Sequence, residues 1–481
     1  MSFRYKVILL ILLASITRFV GLDWGQGNYF HPDENNMATA ITKLNPNNLN
    51  PEFFAYGQFP LYLGFFTLKT LGVDNNFPNS ILILRFYSAI FSLLSLYFFY
   101  KIYPNLIFIL LLIFSPSLIQ LAHFGTTESL LILTFATNLY IAKLIIKNPS
   151  IKLFFLASLC TGIAISTKIS GAIFILPIVF SAIISRSWYL IPYGTLTLVL
   201  SLLLSPYNLI AFSDFLSALK YETSVATGTL PVFYTAQFRN SIPYVFQIKN
   251  IFPYISGWPV FIFGLLSIYF IKIKNKKYVF VVLLSCFIYF LYFGQLYVKW
   301  TRFMSPLFFV FPLLATLFLV RFPKWTILSI LPGVMFFLQY LFIDTRVTAS
   351  KYLIETIPKG SNVLSESGNV ANIPVLPNNL KVNNYDFYEY NPTTLAEALL
   401  ESEYIVVPSR RVFKNYSFNY YQNLFSGNLG FEEIKTITPI SDFLLNPENA
   451  EETWSVFDRP TIRIYKKNNQ LSFHQYKSLL E

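Results

Sequence analysis

The heptapeptide Phe30-His31-Pro32-Asp33-Glu34-Asn35-Asn36 sets two adjacent carboxylates and an imidazole directly behind the first apolar run of the chain. A carboxylate in such a place can take a proton from an incoming hydroxyl. Cations near it can hold a phosphate leaving group while its charge develops. The chain offers both kinds of group. The acids are Asp33, Glu34 and Glu128, with Asp214 and Glu222 further on; the cations are Arg85, Lys168, Arg239, Lys299 and Arg302. Arg85 falls well inside an apolar segment, where an unpaired cation is costly. Acids and cations gathered at one interface suit a reaction on an anionic lipid substrate. Plainer readings stand beside this one. Asp33, Glu34 and Glu128 could be first-turn acids of helices, and Lys299 could anchor a helix end at lipid headgroups. His31 and His123 could ligate a divalent cation with nearby acids, but their spacing matches no metal motif. No other cofactor is implied. No Walker loop, GxGxxG, GxSxG or HExxH pattern occurs in the right context, so nucleotide-driven transport and soluble-type hydrolysis lack support.

The elements that must position these groups are apolar. Of 481 residues, 54% are hydrophobic and 12% charged, against roughly 25% charged in soluble proteins; mean hydropathy is +0.51. Eleven membrane spans are expected, near 5–22, 80–101, 105–122, 127–146, 151–166, 169–185, 189–206, 251–271, 278–297, 304–320 and 325–343. No small-residue cleavage site follows the first, which is expected to be a retained helix. The formal charge of +12 is not a nucleic-acid signal. Residues 1–345 hold 23 Lys and Arg against 9 Asp and Glu, and residues 346–481 hold 13 against 15. The basic excess belongs to the membrane part, where it sets orientation. With Arg4 and Lys6 inside, the alternate basic loops (Lys101, Lys143 to Lys152, Arg186, Lys272 to Lys277, Arg321 and Lys324) also fall inside. Loops 23–79 and 207–250 and the tail then share the outer face. The expectation is a multi-pass plasma-membrane protein with a cytoplasmic N-terminus.

Within the first outer loop, Pro32 with Asp33 and Glu34 marks a helix N-terminus running to Lys43. Phe59 to Leu71 is too short to span and is expected at the interface. Asp214 to Ala226 has the pattern of an amphipathic helix. From Arg346 onward, short helical patterns (349–356, 394–401) alternate with strand-like runs (362–364, 404–407, 461–465). A transmembrane domain of 1–345 and a small extracytoplasmic α/β domain of 346–481 follow. Cys160 and Cys286 sit inside apolar runs, and no disulfide is expected.

Taken together, "FHPDENNMATA", "RFYSAIFSLL" from Arg85, "FGTTESLLIL", "GIAISTKISGAIFILP", "VKWTRFMSPLFFVFP" and "RVTASKYLIETIPKGSNVLSE" resemble motifs of the GT-C fold polyprenyl-phosphate-sugar-dependent glycosyltransferases. The protein O-mannosyltransferase and aminoarabinose transferase relatives belong to that superfamily. Each motif is short; their order and sidedness carry the resemblance, which covers most of the chain. It implies a GT-C type polytopic fold and an inverting transferase using a polyprenyl-phosphate sugar donor, with a protein, lipid or glycan acceptor and no nucleic acid. Asp33 matches the family's catalytic base and Glu34 its acidic neighbour. Arg85 matches a basic residue near the donor phosphate, and Lys168, Lys299 and Arg302 match basic positions more loosely. Glu128 stands where many relatives have Asp, and with His31 it is expected near the acceptor or a metal. Two other classes share some features: a ligase or polymerase using diphosphate-linked oligosaccharides, and a transporter or lipid flippase. Acids confined to one face and the lack of repeated halves weigh against transport.

Overall fold

The computed structural model describes residues 3–271, 275–367, 380–408, 410 and 418–481. The chain forms two compact units. The first comprises Met1–Leu22, Asp33–Thr227 and Pro243–Phe337; the second comprises Asp23–Pro32, Gly228–Ile242 and Leu338–Glu481.

The first unit is all-helical. It opens with α1 (Phe3–Phe19), α2 (Pro32–Lys43), α3 (Phe59–Leu71) and α4 (Phe77–Ile102), followed by α5 (Leu106–Ile113), α6 (Pro116–His123), α7 (Glu128–Lys147) and α8 (Ile151–Thr167). A 3-10 turn at Ile169–Ile175 leads into α9 (Leu176–Ser185), then come α10 (Leu190–Leu204), α11 (Tyr207–Ile210) and α12 (Phe212–Thr227). The rest is α13 (Val245–Asn250), α14 (Phe252–Ser256), α15 (Trp258–Leu266), α16 (Lys276–Gly294), α17 (Val310–Leu319) and α18 (Thr326–Leu338). By length and composition, four helices among the described residues can cross a membrane, and three bent pairs raise the number to seven. All eleven expected spans coincide with helical segments. Four of them (α1, α8, 169–185 and α10) have 17 residues or fewer. The protein is a multi-pass helical membrane protein.

Local chemistry explains the breaks. The span expected at 105–122 is two helices meeting at 55°, because Pro116 has no N–H for the Leu112 carbonyl and its ring crowds that turn. Arg18 from α1 fills the vacancy. Its Nη2 donates to the Leu112 carbonyl at 2.9 Å, and Nη1 donates to that of Ile113. The buried guanidinium thus caps the end of α5 with charge of the favourable sign. Gly333 of α18 packs on the same break, and a Cβ there would lie 1.7 Å from the Phe114 carbonyl oxygen. Elsewhere caps are ordinary: Asn76 and Asn105 accept from the first-turn N–H groups of α4 and α5.

The second unit holds the α/β domain. It contains α19 (Thr345–Thr356), β1 (Asn362–Ser367), β2 (Lys381–Asp386), α20 (Pro392–Glu401) and β3 (Tyr404–Val407). Then follow α21 (Phe418–Phe425), β4 (Phe431–Ile437), α22 (Thr453–Val456), β5 (Ile462–Lys467) and α23 (Phe473–Leu480). The sheet order is β2-β1-β3-β5-β4; β1 runs parallel to β2 and β3, and β5 antiparallel to β3 and β4. Period-2 alternation divides the core. Val363, Val406 and Ile464 face α19 with Ala349 and Leu353. Leu364, Ile405 and Tyr465 face the α20, α21 and α23 layer. Segments from far upstream are built into this unit: the Arg346 guanidinium lies 3.5 Å from the Phe30 ring centroid, and Gln237 donates to Glu451 at 2.7 Å.

Candidate active site

Pro32 has no N–H to lose at a helix start, and the acids behind it suit the positive end of α2. Neighbours on a helix point about 100° apart, and the two acids meet different surroundings. Glu34 turns inward and is fully buried. It accepts from Arg85 Nε at 3.1 Å and Nη2 at 2.8 Å, and from the Gly125 backbone N–H at 2.5 Å. Arg85, itself 1% exposed, also donates from Nη1 to the Leu22 carbonyl at 2.8 Å. The pair therefore ties α2 to α4, to the end of α1 and to the α6–α7 turn. Two expectations change accordingly. Arg85 does not reach out to a donor phosphate, because its guanidinium is enclosed by Glu34 and a carbonyl; Glu34 has no open face for chemistry, because its oxygens are taken up by Arg85 and Gly125.

Asp33 turns the other way and forms an ion pair with Nη1 of Arg302. Arg302 follows Trp300, whose ring lies 4.7 Å from the guanidinium carbon. The Tyr56 hydroxyl lies 3.5 Å from Nη1 of Arg302. Nε of Arg302 is buried and has no hydrogen-bond partner among the described residues, an open donor in a setting where buried donors are nearly always matched.

A second ion pair stands beside the first. Glu128, the first residue of α7, lies 3.5 Å from Nζ of Lys168. Lys168 sits in the extended link between α8 and the 169–175 turn. Its ammonium faces the rings of Tyr56 at 5.0 Å and Phe303 at 5.5 Å. Burial pulls the Lys168 pKa down, and Glu128 opposes that shift. Burial holds the Tyr56 phenol well above its ordinary value, so it remains a neutral hydroxyl able to donate.

Both cations line one cavity of about 370 Å³. Its walls come from the 54–57 loop with Tyr56, from Lys168 to Ser170, from α12 with Glu222, and from Tyr292 to Phe303. Close backbone packing sets the wall. Gly57 donates to the Thr167 carbonyl at 2.9 Å, and a Cβ on Gly57 would lie 2.0 Å from the Ser166 carbonyl oxygen.

The structure thus brings Asp33, Glu128, Lys168 and Arg302 together. Lys299 stays apart from that wall: its buried Nζ donates to the Tyr297 carbonyl at 2.9 Å, so it serves its own loop rather than the cavity. His31 belongs to the second unit, where its ring packs on Phe457 with centroids 4.3 Å apart. His123 directs its two ring nitrogens at the carbonyls of Ile119 and Val20, 2.8 and 2.9 Å away. Among the described residues no group of three or more His, Cys, Asp or Glu is placed to hold a metal ion. Tyr56 and Trp300 were missing from the sequence reading, and Glu222 carried no role there. Aromatic residues are so frequent in this chain, 83 Phe and Tyr in all, that none stands out without the fold.

The fold and the site define a class: a multi-pass helical membrane protein with two carboxylate-paired cations, Lys168 and Arg302, on one cavity, and a small α/β unit. Residues 75–210 match the sequence model of the dolichyl-phosphate-mannose-protein mannosyltransferase family. That segment holds Arg85, Glu128 and Lys168, and over it the match agrees with the resemblance read from the motifs there. No curated protein matches the chain by sequence. Among solved structures, it is similar to ArnT from Cupriavidus metallidurans in the apo state, at 13% identity over 95% of this chain and 97% of that one, with a TM-score of 0.48. ArnT bound to undecaprenyl phosphate is matched at 14% identity over 96% and 98%, TM-score 0.47. The Archaeoglobus fulgidus oligosaccharyltransferase, in complex with Zn and sulfate, is matched at 12% identity over 87% and 69%, TM-score 0.45.

Proposed function

We propose that this chain is an inverting glycosyltransferase. It moves a sugar from a polyprenyl-phosphate donor to an acceptor hydroxyl at the outer face of the membrane. The observation that carries this reading is the pairing of Asp33 with Arg302, a cation whose Nε is still open to an anion. Arg302 and Lys168 are the groups for the donor phosphate. A guanidinium offers two parallel donors to such a group, and a compact ammonium supplies a second charge. As Arg302 turns to the phosphate, it releases Asp33. The freed carboxylate takes the proton of the acceptor hydroxyl as its oxygen attacks the anomeric carbon. The bond from that carbon to the phosphate oxygen breaks, and the lipid phosphate leaves with its new charge on Arg302 and Lys168. One base and one displacement invert the anomeric centre. Glu128 holds Lys168, while Glu34 and Arg85 hold α2 and the α6–α7 turn in place. Glu128 is paired with Lys168 and His31 packs on Phe457, so neither position adds support for the divalent cation expected near them.

The test is transfer from a monosaccharide monophosphate polyprenol by full-length protein in detergent. Asp33→Asn should lose transfer by about 10²–10⁴-fold, the span of general-base contributions, with an unchanged melting temperature. Full activity in that variant sinks the assignment of Asp33. A strict requirement for a diphosphate-linked oligosaccharide overturns the donor class.

A further inference from the structure

The last candidate span, Pro323–Leu341, ends inside the second unit, which takes up the chain again at Leu338. Side chains tie the final turn of that span to the α/β domain. The Ser441 hydroxyl donates to Gln339 Oε1 at 3.1 Å, Gln339 Nε2 donates to Asp458 at 3.2 Å, and the Tyr340 hydroxyl donates to Asp458 at 2.7 Å. The 3-10 turn Ile440–Phe443, which follows β4, is therefore held beside the end of the span.

That turn has an apolar tip. Ser441 and Leu445 are fully buried, whereas Ile440 is 41% and Phe443 85% exposed. Among the described residues from Leu338 onward, three large apolar side chains are more than half exposed: Leu341 and Phe342 where the span ends, and Phe443. The bond from Ser441 to Gln339 sets the third within a few residues of the first two. Single exposed apolar residues are ordinary, but a group of them marks a contact surface. The lipid-facing surface of the span runs directly into this group.

The turn also meets the condition for leaving water. Its N–H groups are matched internally: Asp442 donates to the Pro439 carbonyl at 3.1 Å, and Leu444 and Leu445 donate to that of Ser441 at 3.2 and 3.1 Å. Open backbone groups would be costly in lipid. Asp442, the one charged residue between Lys435 and Glu448, keeps its Oδ1 buried. We infer that the Ile440–Phe443 turn is a membrane-contact site. It sets Phe443 and Ile440 into the lipid leaflet at which the last span ends, and so holds the second unit against the bilayer.

The inference assigns lipid contact only, and its failure leaves the roles of Asp33 and Arg302 untouched. Full-length protein carrying Cys160→Ala and Cys286→Ala is labelled with nitrobenzoxadiazole at Phe443→Cys and placed in phosphatidylcholine nanodiscs. The control label is at Asn469→Cys, an exposed position beyond the opposite end of β4, roughly 20 Å away at ~3.3 Å per strand residue. Phosphatidylcholine with a nitroxide high on its acyl chain should quench the label at 443 at least about twofold more than that at 469, because interfacial apolar groups lie ~5–10 Å deep. Iodide in the buffer should show the reverse order. Phe443→Trp needs no label and should add a component quenched by brominated lipid to the emission of the six native tryptophans. The proposal is overturned if neither probe at 443 senses the lipid quencher. It is also overturned if the label is shielded from iodide in native membranes but open to it in nanodiscs, since a protein is then the occupant.

Discussion

Asp33 and Glu34 are identical in charge and adjacent in sequence, yet burial gives them opposite work. Glu34 neutralises a buried guanidinium; Asp33 holds a cation on a cavity wall. Removing the Glu34 charge takes the counter-ion from the buried Arg85 guanidinium, a loss on the order of 3–5 kcal/mol. Glu34→Gln should therefore lower the unfolding midpoint strongly in a thermal or denaturant melt, whereas Asp33→Asn should leave it nearly in place. Equal melts for the two variants would sink this division of labour. The sequence made the acidic pair, Arg85 and the Glu128 turn visible, because charges in apolar surroundings are conspicuous. It could not say which acid faced in, because a helix start tolerates either arrangement. Lys299 and Arg302 looked alike for the same reason; they are three residues apart, and only the second reaches Asp33.

At the scale of elements, the site depends on helix ends meeting at backbone distance. The Gly57 N–H bonds the end of α8, and the Gln58 N–H takes the Ser205 hydroxyl at 2.9 Å, which itself donates to the Ser166 carbonyl at 3.0 Å. Three ends (of α3, α8 and α10) are thus joined beside Tyr56 and Lys168. Gly57→Ala would force Tyr56 away from Lys168. Overpacking of this kind costs roughly 1–3 kcal/mol, and transfer should fall further than stability, by about tenfold or more. Loss of stability with unchanged kcat would contradict this. The helices themselves were legible as apolar runs, and the Pro116 break was not, because the run stays greasy across it. Strands β1, β3 and β5 were readable from their buried β-branched residues. The edge strands β2 (KVNNYD) and β4 (FEEIKTI) were not, since exposed polar residues alternate there with few apolar ones.

At the scale of the whole molecule, acidic groups buried in the second unit tie its stability to pH. Burial pushes the Glu366 carboxyl up to about 8 from 4.5, and that of Asp442 up to about 7 from 3.8. Between its unfolded and folded values each group is protonated in the folded unit and ionised in the unfolded chain. Stability then falls as pH rises, from near 4 until the folded values near 7 and 8 are passed, and is level above them. Hydrogen exchange at β1, corrected for intrinsic rate, should show less protection at about pH 8 than at about pH 5.5. Glu366→Gln should remove most of that difference. Persistence of the full difference would place its source elsewhere.

The second unit is assembled from three stretches of chain, of which the first ends at Pro32 and the last begins at Leu338. During synthesis, Phe30 leaves the ribosome some three hundred residues before Arg346, whose guanidinium lies on its ring. At about 5–20 residues per second, that is a wait of roughly 15–60 s. Through that interval the Phe30 ring lacks the cation that finally covers it. Maturation of this unit therefore waits for the chain beyond Arg346, and a fragment cut at residue 346 is born without the pieces that complete it.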